Sequence, residues 1–121
     1  MSNPENSPEQ ILAERLRLGA GFSAEDSDHV LELLAPLGRH LVRWSPENVD
    51  LELQVKNRGG AEQKVTLEAW LPGWPSLVAS STGRDLDHAL VEARKEMIRQ
   101  IDDEKAKREP RQGRATRERT A

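Results

Sequence analysis

Arg94, Lys95, Arg99, Lys105, Lys107 and Arg108 are the side chains whose type and spacing point most directly to chemistry, and that chemistry is electrostatic binding. They lie off an apolar series, Leu86, Ala89, Leu90, Ala93, Met97 and Ile101, that recurs at offsets of three and four. The spacing predicts one amphipathic helix over 85–108, which closes a core with one side and offers cations on the other. Residues 105–121 hold seven Lys or Arg against Glu109 and Glu118, a balance of +5. The first 104 residues therefore carry −8 of a chain whose net charge is −3. An acidic body with a basic tail suits a polyanionic partner, because local charge sets the contact.

Other groupings lead away from catalysis. His29, His40 and His88 stand in no ligand spacing of the His-Glu-x-x-His kind, and without cysteine there is no thiolate to complete a metal site. Asp85 and Asp87 beside His88 read as acids at a helix N-terminus. Gly19 and Gly21 follow a short strand but lack the fingerprint of a phosphate loop, and no nucleophile elbow occurs. No enzyme, cofactor, metal or small-molecule substrate is expected. Trp70 falls on the polar side of a strand, where an indole could stack on a base or on a protein. Cross-strand packing or local twist is the simpler account, since the run of aromatics that marks sheet-based RNA stacking is missing. Trp44 and Trp74 read as packing at the edge of a core.

These groups need a scaffold, and 121 residues supply one domain with one core. No run of about 18 apolar residues exists, so no membrane span is expected. Met1–Gln10 lacks the basic start and apolar centre of a secretory signal. With no cysteine, this points to a soluble cytoplasmic protein. Residues 1–13 are expected to be disordered, with Pro, Ser, Asn and Glu and no periodicity. Residues 14–108 form the domain, and 109–121 a basic disordered tail.

Within the domain, Glu14–Leu18 alternates as a short strand, broken at Gly19-Ala20-Gly21. Ser23 caps a helix with acids in its first turn, continued by Val30, Leu31, Leu34, Leu37 and Leu41. Pro36 predicts a kink or break near Ala35, with helix resuming toward Val42. Val49–Lys56 alternates strictly, and Asn57-Arg58-Gly59-Gly60 supplies a hairpin. The return strand puts Val65, Leu67, Ala69 and Leu71 inward, and Ser76–Thr82 makes a last strand before the long helix, capped by Asp85. The order β-α-β-β-β-α defines an α+β two-layer sandwich, a four-stranded sheet with two helices on one face. The first crossover should place strand one parallel to strand two.

That order, with the wording of two segments, resembles the hibernation-promoting factor and ribosome-associated inhibitor family, also called the sigma-54 modulation or ribosomal S30AE family. The segments are Val49-Asp50-Leu51-Glu52-Leu53 through the hairpin to Val65-Thr66-Leu67-Glu68-Ala69-Trp70-Leu71, and Arg84-Asp85-Leu86-Asp87-His88-Ala89-Leu90 with the helix ending Ile98-Arg99-Gln100-Ile101. The resemblance implies a fold akin to a double-stranded RNA-binding domain. It also implies a factor in the decoding channel of the small ribosomal subunit, over its rRNA, that inhibits translation by steric occupancy. Mapped onto this chain, the family's basic helix surface corresponds to Lys95, Arg99, Lys105, Lys107 and Arg108, with Arg84, Lys56 and Arg58 as further contacts. Scattered cations suffice, because folded RNA is read through shape and phosphates.

The chain departs from the family's pattern at Asp102-Asp103-Glu104, where members commonly continue with basic residues, and at Pro36. It ends without the C-terminal dimerisation domain of long members, so its action should resemble the short form. Two other readings stand beside this one. The helix cations could be a solvated surface laced with ion pairs, since Arg99–Asp103, Asp103–Lys107 and Glu104–Arg108 are spaced i to i+4. The fold could also serve as a non-ribosomal protein-interaction module.

Overall fold

The computed structural model of the chain describes residues 7–108, so the expectations for residues 1–6 and for the tail at 109–121 lie outside it. Seven principal elements follow one another: helix α1 (Pro8–Arg15), strand β1 (Leu16–Leu18), helix α2 (Ser27–Gly38), strands β2 (Asp50–Lys56), β3 (Gln63–Trp70) and β4 (Leu77–Gly83), and helix α3 (Leu86–Arg108). Short 3-10 turns at Ala24–Asp26 and Pro46–Asn48 lead into α2 and β2. The expected β-α-β-β-β-α order is present, and a helix precedes it.

The strands form one mixed sheet in the order β1-β2-β3-β4. β1 runs parallel to β2, with Leu16 opposite Leu51, and the remaining pairs are antiparallel. The alternation in β2 and β3 is borne out: Leu51, Leu53, Val55, Val65, Leu67 and Ala69 are all buried. Against this face lie Val30, Leu34 and Leu37 of α2 and the stripe Ala89, Leu90, Ala93, Met97 and Ile101 of α3, in one continuous core. The two long helices run side by side in the same direction, since His29 meets Asp87, the Leu33 carbonyl meets Arg94 and His40 meets Asp102.

α1 corrects the expectation that residues up to 13 are disordered. Ser7 caps it, its hydroxyl accepting from the Gln10 amide at 3.1 Å, and Pro8 occupies the first turn, where its missing N–H costs nothing. Ile11 and Leu12 are fully buried. The helix also takes Glu14 and Arg15, so β1 begins only at Leu16. α1 and α2 approach backbone to backbone at Gly38, where a Cβ would stand 2.5 Å from the Pro8 carbonyl oxygen. Only glycine fits there.

A second correction concerns Pro36. α2 runs through it to Gly38 and stops, and Arg39–Trp44 continues as turns with His40, Leu41 and Trp44 amides bonded three residues back. Proline this close to the helix end removes a single ladder bond, and helix does not resume toward Val42. The break after β1 is softer than expected. Gly19 donates to the Leu53 carbonyl and Ala20 accepts from Val55, while Gly21, at φ +89°, lets the chain pass against Val55.

Trp44 and Trp74 pack edge to face at 5.0 Å on the rim of the core, as expected. Trp70 is exposed on the outer face of the sheet, opposite Asp50, with the Arg17 guanidinium over its ring at 5.8 Å and 3.6 Å from Asp50. Its partner is an Arg from β1, two strands away.

Candidate nucleic-acid interface

α3 positions most of the sequence-predicted cations, and its own acids engage them. Lys95 lies 3.6 Å from Glu92, and Arg99 pairs with both Glu96 and Asp103. Lys105 lies 4.0 Å from Asp102, Lys107 3.7 Å from Glu104, and Arg108 3.2 Å from Glu104. Arg108 also sits over the Trp74 ring at 5.7 Å. Two of the three i to i+4 pairs read from the sequence form, while Lys107 chooses Glu104 over Asp103. The Arg99 hydrogen bonds hold the Glu96 carboxyl below its usual range, with a smaller push from Gln100.

Across residues 86–108 six acids face six Lys or Arg, so the helix carries no net charge. Arg94 turns inward and is half-buried: it donates to the Leu33 carbonyl at 2.8 Å, and its Nε is buried. The cationic face legible in the sequence is therefore a ladder of ion pairs. Such exposed pairs add little stability, yet each must be broken or shared before its cation meets a phosphate.

Arg58 is spent elsewhere. Asn57, in the left-handed region at φ 59°, turns the chain so that Arg58 reaches back to the loop before α2. There it grips Asp26 with two hydrogen bonds of 2.8 and 2.9 Å, donates to the Gly21 carbonyl at 2.8 Å and lies over Phe22 at 5.4 Å. Asp26 in turn accepts from the Ser23 amide at 2.8 Å, closing the cap of the turn before α2. Arg58, then the Ser23 amide, hold the Asp26 carboxyl far below its ordinary 3.8.

The sign follows: a depressed carboxyl stabilises the fold above its ordinary value and loses that contribution as pH falls toward the depressed one. Arg58→Gln is therefore expected to return Asp26 titration toward the ordinary carboxylate range, read by carboxyl-carbon NMR, and to flatten the loss of stability below pH ~4. An unmoved Asp26 titration in that variant contradicts the account.

Lys56 and Arg84 differ from the rest. Both are exposed, and neither side chain has an ion-pair or hydrogen-bond partner among the described residues. The register adds a residue that the sequence reading left out. Lys64 stands directly opposite Lys56 on β3, exposed and equally unpartnered. Its signal was present in the strand alternation, but only the hairpin register brings the two lysines together.

Among the described residues no group of three or more His, Asp or Glu could hold a metal ion. No helix among them is long and apolar enough to cross a membrane. A groove of about 290 Å³ between α1 and α2 includes Leu12, Leu31, Glu9, Asp28 and Glu32 in its lining, the wrong charge for a polyanion.

No protein-family model matches the sequence, and no curated protein does. Solved structures do match. The Thermus thermophilus Protein Y N-terminal domain superposes with a TM-score of 0.54, at 17% identity, over 73% of this chain and 93% of that one. This chain has the fold of the Protein Y N-terminal domain. A ribosomal subunit interface protein from Coxiella burnetii aligns over 76% of this chain and 98% of that one, at 15% identity and a TM-score of 0.48.

Proposed function

We propose that this chain is a cytoplasmic ribosome-associated factor that binds the small subunit over its rRNA, near the decoding channel, and holds translation off by occupying that space. The observation that carries the reading is the fold shared with the Protein Y N-terminal domain. The wording of the strand and helix segments, which resembles the hibernation-factor family, supports it. The mechanism makes and breaks no bond. A rigid α+β body fills a channel, and cations at its surface neutralise phosphates, releasing counterions as they do so.

The test is cosedimentation of the full chain with purified small subunits at low and high salt. Binding at low salt that falls steeply as salt rises is the expected result, since each neutralised phosphate contributes roughly 0.7–0.9 to the logarithmic salt slope. A chain that stays in the supernatant at low salt overturns the reading.

A protein-interaction module on the same fold is the second reading, and one observation favours it: α3 is electrically neutral and its surface cations are held by its own acids. Absence of ribosome binding at low salt is the result that selects it.

A further inference from the structure

The outer face of the sheet is polarised along its strands. Toward one end lie Asp50, Glu52, Glu68 and Trp70. At the other end β2 finishes with Lys56, directly across from Lys64 on β3. Directly opposed residues hold their Cβ atoms roughly 4.5–5.5 Å apart, and like charges there destabilise the pair. Neither lysine has an ion-pair or hydrogen-bond partner among the described residues, and the next position across, on β4, is the uncharged Thr82. The acids near this end, Glu62 before β3 and Asp85 after Arg84, pair with neither lysine. Arg84 follows β4 at the same end of the sheet, also exposed and unpartnered.

This end is built and not merely loose. Gln63, only 3% exposed and the buried polar residue among those described, spans it from inside. Its Oε1 accepts from the Gly59 amide at 2.9 Å, and its Nε2 donates to the Arg84 carbonyl at 2.7 Å. One side chain thus ties the hairpin loop to the backbone of Arg84 at the β4–α3 junction, bracing the end of the sheet that carries the lysine pair. Two lysines opposed across a braced hairpin, with an exposed arginine at the same end of the sheet, are an arrangement whose like charges an incoming chain of phosphates relieves.

We infer that Lys56, Lys64 and Arg84, at the end of the sheet that Gln63 braces, form the contact with the RNA phosphate backbone, in place of the outer face of α3. The inference rests on the ribosome-binding reading and names the surface that serves it. Two strand residues and one junction residue span more than a single anion, which suits a backbone carrying successive phosphates. Contacts of this kind supply affinity and position without reading sequence, as expected for a protein seated on folded RNA. The α3 cations enter such a contact only by breaking or sharing their pairs with carboxylates on the same helix.

The experiment compares the wild-type chain with Lys64→Glu/Arg84→Glu and with Lys95→Glu/Arg99→Glu, cosedimented with small subunits across a salt series. Lys64→Glu places an opposite charge across from Lys56, so the hairpin gains a cross-strand attraction and the fold is not weakened. A circular dichroism melt checks this. The expected result is at least a tenfold loss of binding in the first variant, with a shallower salt slope, and a change within twofold in the second.

If wild type fails to bind, the ribosome reading falls and this inference falls with it. If wild type binds, the first variant binds equally and the second loses binding, the ribosome reading stands and this inference alone is overturned. Equal loss in both variants also overturns it, because α3 would then share the contact.

Discussion

Ile11→Ala is expected to lower the thermal midpoint of the protein by ~10 °C or more, although residue 11 lies in a stretch whose composition reads as a disordered terminus. Ile11 and Leu12 are fully buried, and emptying such a site costs about 2–5 kcal/mol through lost transfer energy and the cavity left behind. A domain of this size holds only about 5–15 kcal/mol in all. The backbone contact between Gly38 and Pro8 leaves α1 little room to slide inward and fill the gap. The double variant Ile11→Ala/Leu12→Ala should therefore approach the unfolding threshold. Neighbouring truncations share one cavity, so their effects need not add. Urea unfolding followed by circular dichroism measures both. A midpoint unchanged from wild type in Ile11→Ala would show that α1 is an ornament and not part of the core.

That helix also shows why part of the fold was legible and part was not. Period-two alternation reads directly as a half-buried strand, so Leu51, Leu53, Val55, Val65, Leu67 and Ala69 declared their face without any tertiary information. The α3 stripe did the same at helical spacing. α1 has only two buried residues in eight, too few for a period, and its start signal at Ser7-Pro8-Glu9 is hidden among other Ser, Pro and Glu. Pro36 reads as a break by residue type alone, but a proline's cost depends on how far the helix continues beyond it, and Gly38 ends this one two residues later.

The candidate site divides in the same way. Charge and spacing marked the α3 cations, and spacing also suggested ion pairs. Whether a given cation is spent depends on rotamers and neighbouring elements, as when Arg94 turns inward to the Leu33 carbonyl and Arg58 crosses to Asp26. Conversely, Lys64 acquires meaning only from its register with Lys56. Cations adjacent in space were eight residues apart in sequence, across a hairpin whose loop length had to be known first.

Gln63 joins the stability of that hairpin end to its proposed use, and Gln63→Leu separates the two. Leucine keeps a similar volume in a site only 3% exposed, so no cavity opens. Both hydrogen bonds vanish, and the Gly59 amide and Arg84 carbonyl must find water or go unpaired. An ordinary intramolecular hydrogen bond contributes about 0.5–1.5 kcal/mol net, and a stranded polar group costs about 1–3 kcal/mol. A loss of about 1–3 kcal/mol in urea unfolding is therefore expected, together with faster hydrogen exchange at the Gly59 amide. No cation is altered, yet binding to small subunits should weaken several-fold, because the backbone of Arg84 is no longer tied to the hairpin end that carries Lys56 and Lys64. The salt slope should stay near that of wild type, since the charges remain and only their placement loosens. Unchanged Gly59 exchange would mean that Gln63 does not hold the loop. Normal binding despite faster exchange would mean that the lysine pair needs no tie to the Arg84 backbone.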